Sequence, residues 1–304
     1  MADLDQALSL LRAGQLVAIP TETVYGLAAD ATQPEAVARV FALKGRPSDH
    51  PLIMHFGSAS QIAHYAELPE HFWALAERFW PGPLTLILPK RESVHASVTG
   101  QQDTVAVRVP AHPKTLELLG RLGRPLVAPS ANRFGHTSPT CAEHVREEFG
   151  QSLFVLDGGP CQVGLESTIL DLSGPQPRIL RPGQLSREAI EEVVGPLSLG
   201  QQGAPRVPGA LERHYAPRTP THWFDASQPL PQGRWGWLGF SPQPAALERR
   251  MPVVSQDYAR ELYAALRELD GKNLEQILVE PLPPESEWEA IRDRLNRATT
   301  EAGL

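Results

Sequence analysis

The sequence predicts a mixed α/β (α+β) protein, with a large twisted mixed sheet flanked by helices followed by a small α/β C-terminal domain, and three observations carry that reading. Short apolar runs of strand length alternate with segments whose apolar residues recur at helical spacing, the pattern of layered helix and sheet. Residues 195–221, GPLSLGQQGAPRVPGALERHYAPRTPT, concentrate glycine and proline and break both periodicities, which marks a linker. Beyond it, WGWLGF, a helical pattern near 257–269 and LEQILVE resume the alternation over a shorter stretch. The 304 residues therefore divide into a domain over 1–195, a linker over 196–220 and a small domain over 221–304.

The elements follow in order. An amphipathic helix covers about 3–13 and ends at Gly14, and strands follow at 15–19 and 24–28, the first stopped by Pro20, which removes a ladder donor. Pro34 suits the first turn of a helix over 34–44, with Val37, Val40, Phe41 and Leu43 on its spacing and Gly45 closing it. After Pro47 a strand at 52–56 turns Leu52, Met54 and Phe56 to one face and Ile53 and His55 to the other. Helices near 59–66, 69–80, 112–121, 140–149 and 186–194 and strands at 84–89, 104–109, 125–128, 153–156, 167–171 and 178–181 complete the first domain. Within 104–109, Val105, Val107 and Val109 share the buried face, so Thr104 and Arg108 lie together on the opposite one and can serve one cavity. A last helix covers about 285–298.

Composition narrows the function. A formal charge of −7 argues against a protein built to neutralise an RNA backbone, so direct RNA contact should be slight. The cations that do occur inside the motifs, Lys44, Arg46, Arg108, Arg133 and Arg181, make a local positive pocket suited to a small polyanion. No apolar run approaches the roughly 18 residues of a membrane span, and the acidic start MADLDQ is unlike a signal peptide, so a cytoplasmic protein is expected. Two cysteines without CxxC spacing and ten histidines without HExxH point to neither a disulfide framework nor a protein metal cage. Neither GxxxxGK[ST] nor GxGxxG occurs, so a nucleotide must be gripped by dispersed side chains. Ser130 lacks the GxSxG elbow and reads as a ligand contact, not a nucleophile. Each residue also has an ordinary reading: Lys44 and Arg46 complement a helix C-terminus, His55 packs within a strand, Arg108 is solvated, and APSANRFGHTSPT makes local turn bonds.

Taken together, PTETVYGLAADA, KGRPSDHPLIMH, DTVAVRVP, APSANRFGHTSPT, ESTIL and ILRPG, in this order, resemble the YrdC-type threonylcarbamoyl-AMP synthases. VPGALERHYAP resembles the interdomain linker of their long, two-domain form, and the likeness spans residues 5–217. The resemblance implies a YrdC-like domain that joins L-threonine, bicarbonate or CO2, and ATP into threonylcarbamoyl-adenylate and pyrophosphate. It implies ATP contacts from Lys44, Arg46, His50, Thr104 and Ser130, with Asn132, Ser138, Arg181 and the lid residue Tyr215 completing that side. Threonine would meet Thr23, His55, Arg108 and Ser167, with Arg108 on the carboxylate. Lys44 and Arg46 would stabilise developing charge beside Mg2+ carried on the phosphates. The product would pass to a separate tRNA transferase. A non-catalytic RNA-binding module of the same fold, or a domain that makes a carbamoyl-adenylate for carbamoyl transfer, are the alternatives.

Overall fold

The computed structural model describes residues 2–200, 202–209 and 213–299. Ala210, Leu211 and Glu212 of the VPGALERHYAP segment, and residues 300–304 of the expected second domain, lie outside the described residues. Helix α1 (Ala2–Arg12) is closed by Gly14 at φ 70°, where Gln15 N donates to Leu10 O and Gly14 N to Leu11 O. These paired bonds consume the residues after the helix. Strand β1 therefore begins at Val17 and runs to Ile19, later than its apolar pattern suggests. Strand β2 (Gly26–Asp30) is likewise displaced by two residues. The cause is local: Thr21 Oγ1 accepts from the amides of Thr23 and Val24, both at 3.2 Å, and this side-chain turn competes with the ladder.

Helix α2 (Pro34–Lys44) has its proline in the first turn and Gly45 left-handed at φ 63°. Strand β3 (Ile53–His55) follows, then a 3-10 helix over Ala59–His64, where an α-helix is expected, capped by Ser58 and Gln61. Next come α3 (Phe72–Phe79), β4 (Leu84–Pro89), the single turn α4 (Ala96–Thr99), unforeseen in the sequence, and β5 (Thr104–Arg108). Helix α5 (Pro113–Leu122), β6 (Leu126–Val127), α6 (Ala142–Phe149), β7 (Phe154–Val155), β8 (Thr168–Asp171), β9 (Arg178–Arg181) and α7 (Arg187–Val194) complete the unit. Its nine strands lie in the order β7-β1-β2-β6-β3-β5-β4-β8-β9, with parallel and antiparallel pairs mixed.

Alternation along these strands decides where the core ends and the site begins. Leu27, Met54, Leu86, Val105 and Val107 bury one face against α2, α3, α6 and α7. On the other face α1 and α5 cover β1, β2 and β6 through Val17, Ile19, Ala28 and Leu126. Over β3, β5, β4 and β8 that same face carries only Ile53, Ile87, Ala106 and Ile169, capped by Val207 of the linker. The remaining space is polar.

A second sheet has the order β10-β13-β11-β12, formed by β10 (Thr221–Trp223), β11 (Trp235–Gly239), β12 (Leu247–Arg250) and β13 (Gln276–Val279), all pairs parallel. The edge strands β10 and β12 are short and polar, as edges tend to be, and escaped the apolar pattern. Helices α8 (Ser255–Asp270) and α9 (Glu289–Ala298) pack on this sheet through Leu262, Leu266, Ile291 and Leu295 against Leu238, Ile277 and Val279. Val24, Leu165 and Tyr215 belong to the same apolar cluster, so the second core abuts the wall of the site. No described helix is long and apolar enough to cross a membrane.

Candidate active site

A cavity of about 50 Å³ opens on the uncovered sheet face. Its floor is β3 and β5, which end together at His55 and Arg108, partners in the parallel register. The turn before β2 brings Thr21 and Thr23 beside them, and the Ser130 loop after β6 forms the next wall. Ser167 comes from just before β8 and Arg181 from the end of β9, and Pro208, Gly209, His214 and Tyr215 of the linker make the roof.

Arg108 is held hard. Its Nη2 donates to Glu22 Oε1 at 2.6 Å and to Thr23 Oγ1 at 2.9 Å, and its Nε to Gly82 O at 3.3 Å. Glu22 also accepts from Ala111 N at 2.9 Å, and although burial opposes ionisation, Arg108 and this amide hold its carboxyl below the ordinary value. Two of the three guanidinium nitrogens are thus committed, leaving Nη1 without a partner among the described residues. A carboxylate can therefore meet this guanidinium at one nitrogen. Beside it, His55 Nδ1 donates to Ile53 O at 3.2 Å, which leaves Nε2 as an acceptor. Burial, then the neighbouring Arg108, pulls this imidazole down to about 3, so it is neutral near pH 7.

The opposite side is cationic, with Glu166 the lining acid whose charge reaches Arg181. Lys44 Nζ donates to Ser130 O at 2.5 Å and Asn132 O at 2.6 Å. Arg46 Nη2 donates to Pro51 O at 2.8 Å, and its buried Nε has no partner among the described residues. Arg181 donates to Ser167 O at 2.9 and 3.1 Å, to Ser167 Oγ at 3.1 Å and to Pro208 O at 3.1 Å. Every one of these acceptors is neutral. All three cations are buried, and none has an ion-pair partner among the described residues. Burial accordingly pulls Lys44 well below its usual value, Arg46 to about 10, and Arg181 downward.

Of the residues singled out in the sequence, Thr23, Arg46, His55 and Arg108 line the cavity with Ser130, Ser167, Arg181 and Tyr215. Five do not. Lys44 lies behind the Ser130 loop, bound to its carbonyls. Asn132 donates to Arg133 O and His136 O, both at 2.8 Å, and braces the same loop. Ser138 donates to Glu166 Oε1 at 2.6 Å. Thr104 does share the face of Arg108, but it stands at the far end of β5, paired with Pro89. His50 is half-buried against the edge of Phe134, centroids 5.5 Å apart. Conversely, Glu22 and Glu166 stood inside quoted motifs without a role, and Thr85, whose hydroxyl lies 2.7 Å from that of Ser167, carried no signal. An acid next to a threonine or serine in each of two blocks, PTETVYGLAADA and ESTIL, was the available hint.

Comparison with known proteins gives the family of the chain. A family model described as Telomere recombination, the Sua5–YciO–YrdC domain, matches residues 9–183, and one described as Threonylcarbamoyl-AMP synthase, C-terminal domain, matches residues 185–300. A threonylcarbamoyl-AMP synthase of Pyrococcus abyssi is 41% identical, covering 96% of this chain and 93% of that protein. One of Bacillus subtilis is 40% identical over 96% of this chain and 92% of its own length. The crystal structure of P. abyssi Sua5 complexed with L-threonine superposes with a TM-score of 0.91 at 39% identity, over 97% of this chain and 94% of that one. By both halves and nearly its whole length, the chain belongs to the threonylcarbamoyl-AMP synthase family in its two-domain form.

Proposed function

We propose that the chain forms threonylcarbamoyl-AMP, pyrophosphate and water from L-threonine, bicarbonate and ATP, with CO2 as the alternative carbon source and no water then released. The observation that carries this is the buried pair Arg46 and Arg181, neither in a direct ion pair among the described residues, with Lys44 behind the Ser130 loop, beside the Arg108, His55 and Thr23 cluster. Removing an unpaired charge from water costs several kcal/mol per ion even after relaxation. A triphosphate offsets the cost at Arg46 and Arg181, which line the cavity, and an amino-acid carboxylate takes the open nitrogen of Arg108.

Arg46, Ser130, Arg181 and Tyr215 face the nucleotide in this reading, and Thr23, His55, Arg108 and Ser167 face threonine. Lys44, Asn132 and Ser138 shape the nucleotide wall through the backbone and carboxylate they hold, and His50 and Thr104 become contacts when the linker lifts. Neutral His55 accepts a hydrogen bond at Nε2. The threonine amine is carboxylated to a carbamate, one oxygen of which bonds to the α-phosphorus as the bond to the β-phosphate oxygen breaks and pyrophosphate leaves. No covalent enzyme intermediate is needed. Positioning of the reacting atoms contributes up to about 7 to 11 kcal/mol in favourable cases, and the fixed guanidinium groups stabilise the charge developing on phosphate oxygens.

A magnesium ion would find no carboxylate cage, because no metal-binding group of three acids, histidines or cysteines occurs among the described residues, and Glu166 is committed to Ser138, Tyr263 and Arg294. Any magnesium would be held by phosphate and water, and no step here is routed through it. The adenylate would pass to a separate tRNA transferase, in keeping with little direct tRNA binding by a chain of charge −7. Free Cys141 and Cys161 suit a cytoplasmic setting. We keep the division into 1–195, 196–220 and 221–304, supported by the two sheets on either side of the linker.

Pyrophosphate release from ATP tests the reading. Release should require both threonine and bicarbonate; release indifferent to threonine overturns the assignment.

A further inference from the structure

Glu166 precedes β8 and is the point at which the second domain enters the site. Its Oε1 accepts from Ser138 Oγ at 2.6 Å, and its Oε2 accepts from Tyr263 OH at 2.9 Å and Arg294 Nε at 2.8 Å. Arg294 Nη2 also reaches the Glu166 carbonyl at 3.4 Å, and its Nη1 donates to Asp293 at 2.6 Å. Tyr263 is on α8 and Arg294 on α9, and both are fully buried. The guanidinium of Arg294 lies 5.2 Å over the ring of Tyr215, which in turn stacks on Tyr263 at 5.8 Å. The residue after Glu166 is Ser167, whose carbonyl and hydroxyl hold Arg181. One carboxylate therefore ties Ser138, Ser167 and Arg181 to two side chains of the C-terminal domain.

We propose that Arg294 and Tyr263 are positioning residues for the nucleotide half of the site: through Glu166 they fix Ser138, Ser167 and Arg181 in the geometry that receives ATP. The proposal rests on the synthase reading and assigns the second domain a part in it. An appended domain with a purely protective role needs no buried ion pair with the residue beside Ser167. An ion pair at this depth is poor stabilisation against an apolar substitute, yet it aims its partners in one direction. The groups facing Glu166 are Arg294 from α9, Tyr263 from α8, Arg181 from β9, Ser138 from the loop after β6, and His214 and Tyr215 from the linker. Burial would raise its carboxyl, but Arg294 first and then Arg181 more than cancel that and bring it to about 2. Above pH 5 it therefore adds no pH dependence in the native chain.

The test is Tyr263→Phe, Arg294→Lys and Arg294→Met in the full chain, read by titration with a nonhydrolysable ATP analogue and by steady-state kinetics from pH 5 to 8. Loss of one hydrogen bond to a charged group should weaken ATP binding about tenfold in Tyr263→Phe, with a smaller rise in the KM for threonine through Ser167. Arg294→Met should lose more, and its ATP affinity should acquire an acid-side titration absent from the native chain, with Arg294→Lys restoring part of both. If folded Tyr263→Phe and Arg294→Met bind the analogue within twofold of the native chain at every pH, the proposal is overturned. Should Arg294→Met fail to fold, Tyr263→Phe decides alone. Native protein that binds the analogue but releases pyrophosphate without regard to threonine would defeat the synthase reading, while the binding titration still judges these two residues.

Discussion

Arg46 shows at the scale of one residue how the site works against the fold. Its guanidinium is buried, has Pro51 O as its single hydrogen-bond acceptor among the described residues, and sits 6.0 Å from the Phe134 ring. Burial pulls it to about 10, opposed by Tyr215 and aided by Arg181. A methionine of similar length should relieve this cost, raising the stability of the ligand-free protein by about 1 kcal/mol or more. The same change should weaken binding of an ATP analogue about tenfold or more, since it deletes a charge-assisted contact. Thermal melts with and without the analogue check both; an Arg46→Met protein that is less stable and binds normally would remove the idea of an uncompensated cation kept for phosphate. These cations were legible in the sequence because each sits in a compact block with its loop, as Lys44 and Arg46 do around Gly45. Glu22 and Glu166 were not, because acids run against an anion site until the structure shows them aiming arginines. Arg294 lies 128 residues from Glu166, and no spacing rule spans that separation.

At the scale of elements, the linker is a strap whose closed position leaves a cavity of about 50 Å³, against about 300 Å³ or more for ordinary small-molecule pockets. Substrates therefore require it to move. Two of its left-handed backbone sites are Gly209 at φ 81° and Tyr215 at φ 61°, the latter a conformation that costs a bulky residue about 1 to 3 kcal/mol. A Cβ on Gly209 would overlap the Tyr215 hydroxyl, so the two positions close against each other. Tyr215→Ala should weaken ATP binding by removing the roof, and Gly209→Ala should do so by pushing the tyrosine out. Unchanged nucleotide affinity in both, measured by calorimetric titration, would reject the strap as a lid. Helices and central strands of the first domain were legible because proline, glycine and apolar spacing agree in them, as in α2 from Pro34 to Gly45. The start of β2 was not, since the Thr21 hydroxyl takes the amides that a strand would offer, and β12 was not, since LERR has no apolar face to read.

For the whole molecule, the join between the two cores is electrostatic as well as apolar, which makes its stability a function of pH. Val24, Leu165 and Tyr215 enter the second core, while Glu166 and its partners, and Arg267 on α8 with Glu148 on α6 at 3.0 Å, bind the domains by charge. Glu166 has a folded value of about 2 against 4.5 when unfolded, because Arg294 and Arg181 overcome the burial that would raise it. A depressed carboxyl contributes stability that is complete above its unfolded value and lost as pH falls toward the folded one. The window is therefore pH 4.5 down to 2, and Glu22, lowered by Arg108 against its own burial, adds in the same direction. For a group this deeply buried the contribution is on the order of a few kcal/mol, enough to lower the midpoint of unfolding by several degrees. Glu166→Gln cannot titrate, so it should be less stable than the native chain at pH 7 yet decline more gently between pH 4.5 and 2. Denaturant unfolding of the two proteins across that range checks the attribution: curves that fall in parallel would mean that the acid lability of the domain junction resides elsewhere.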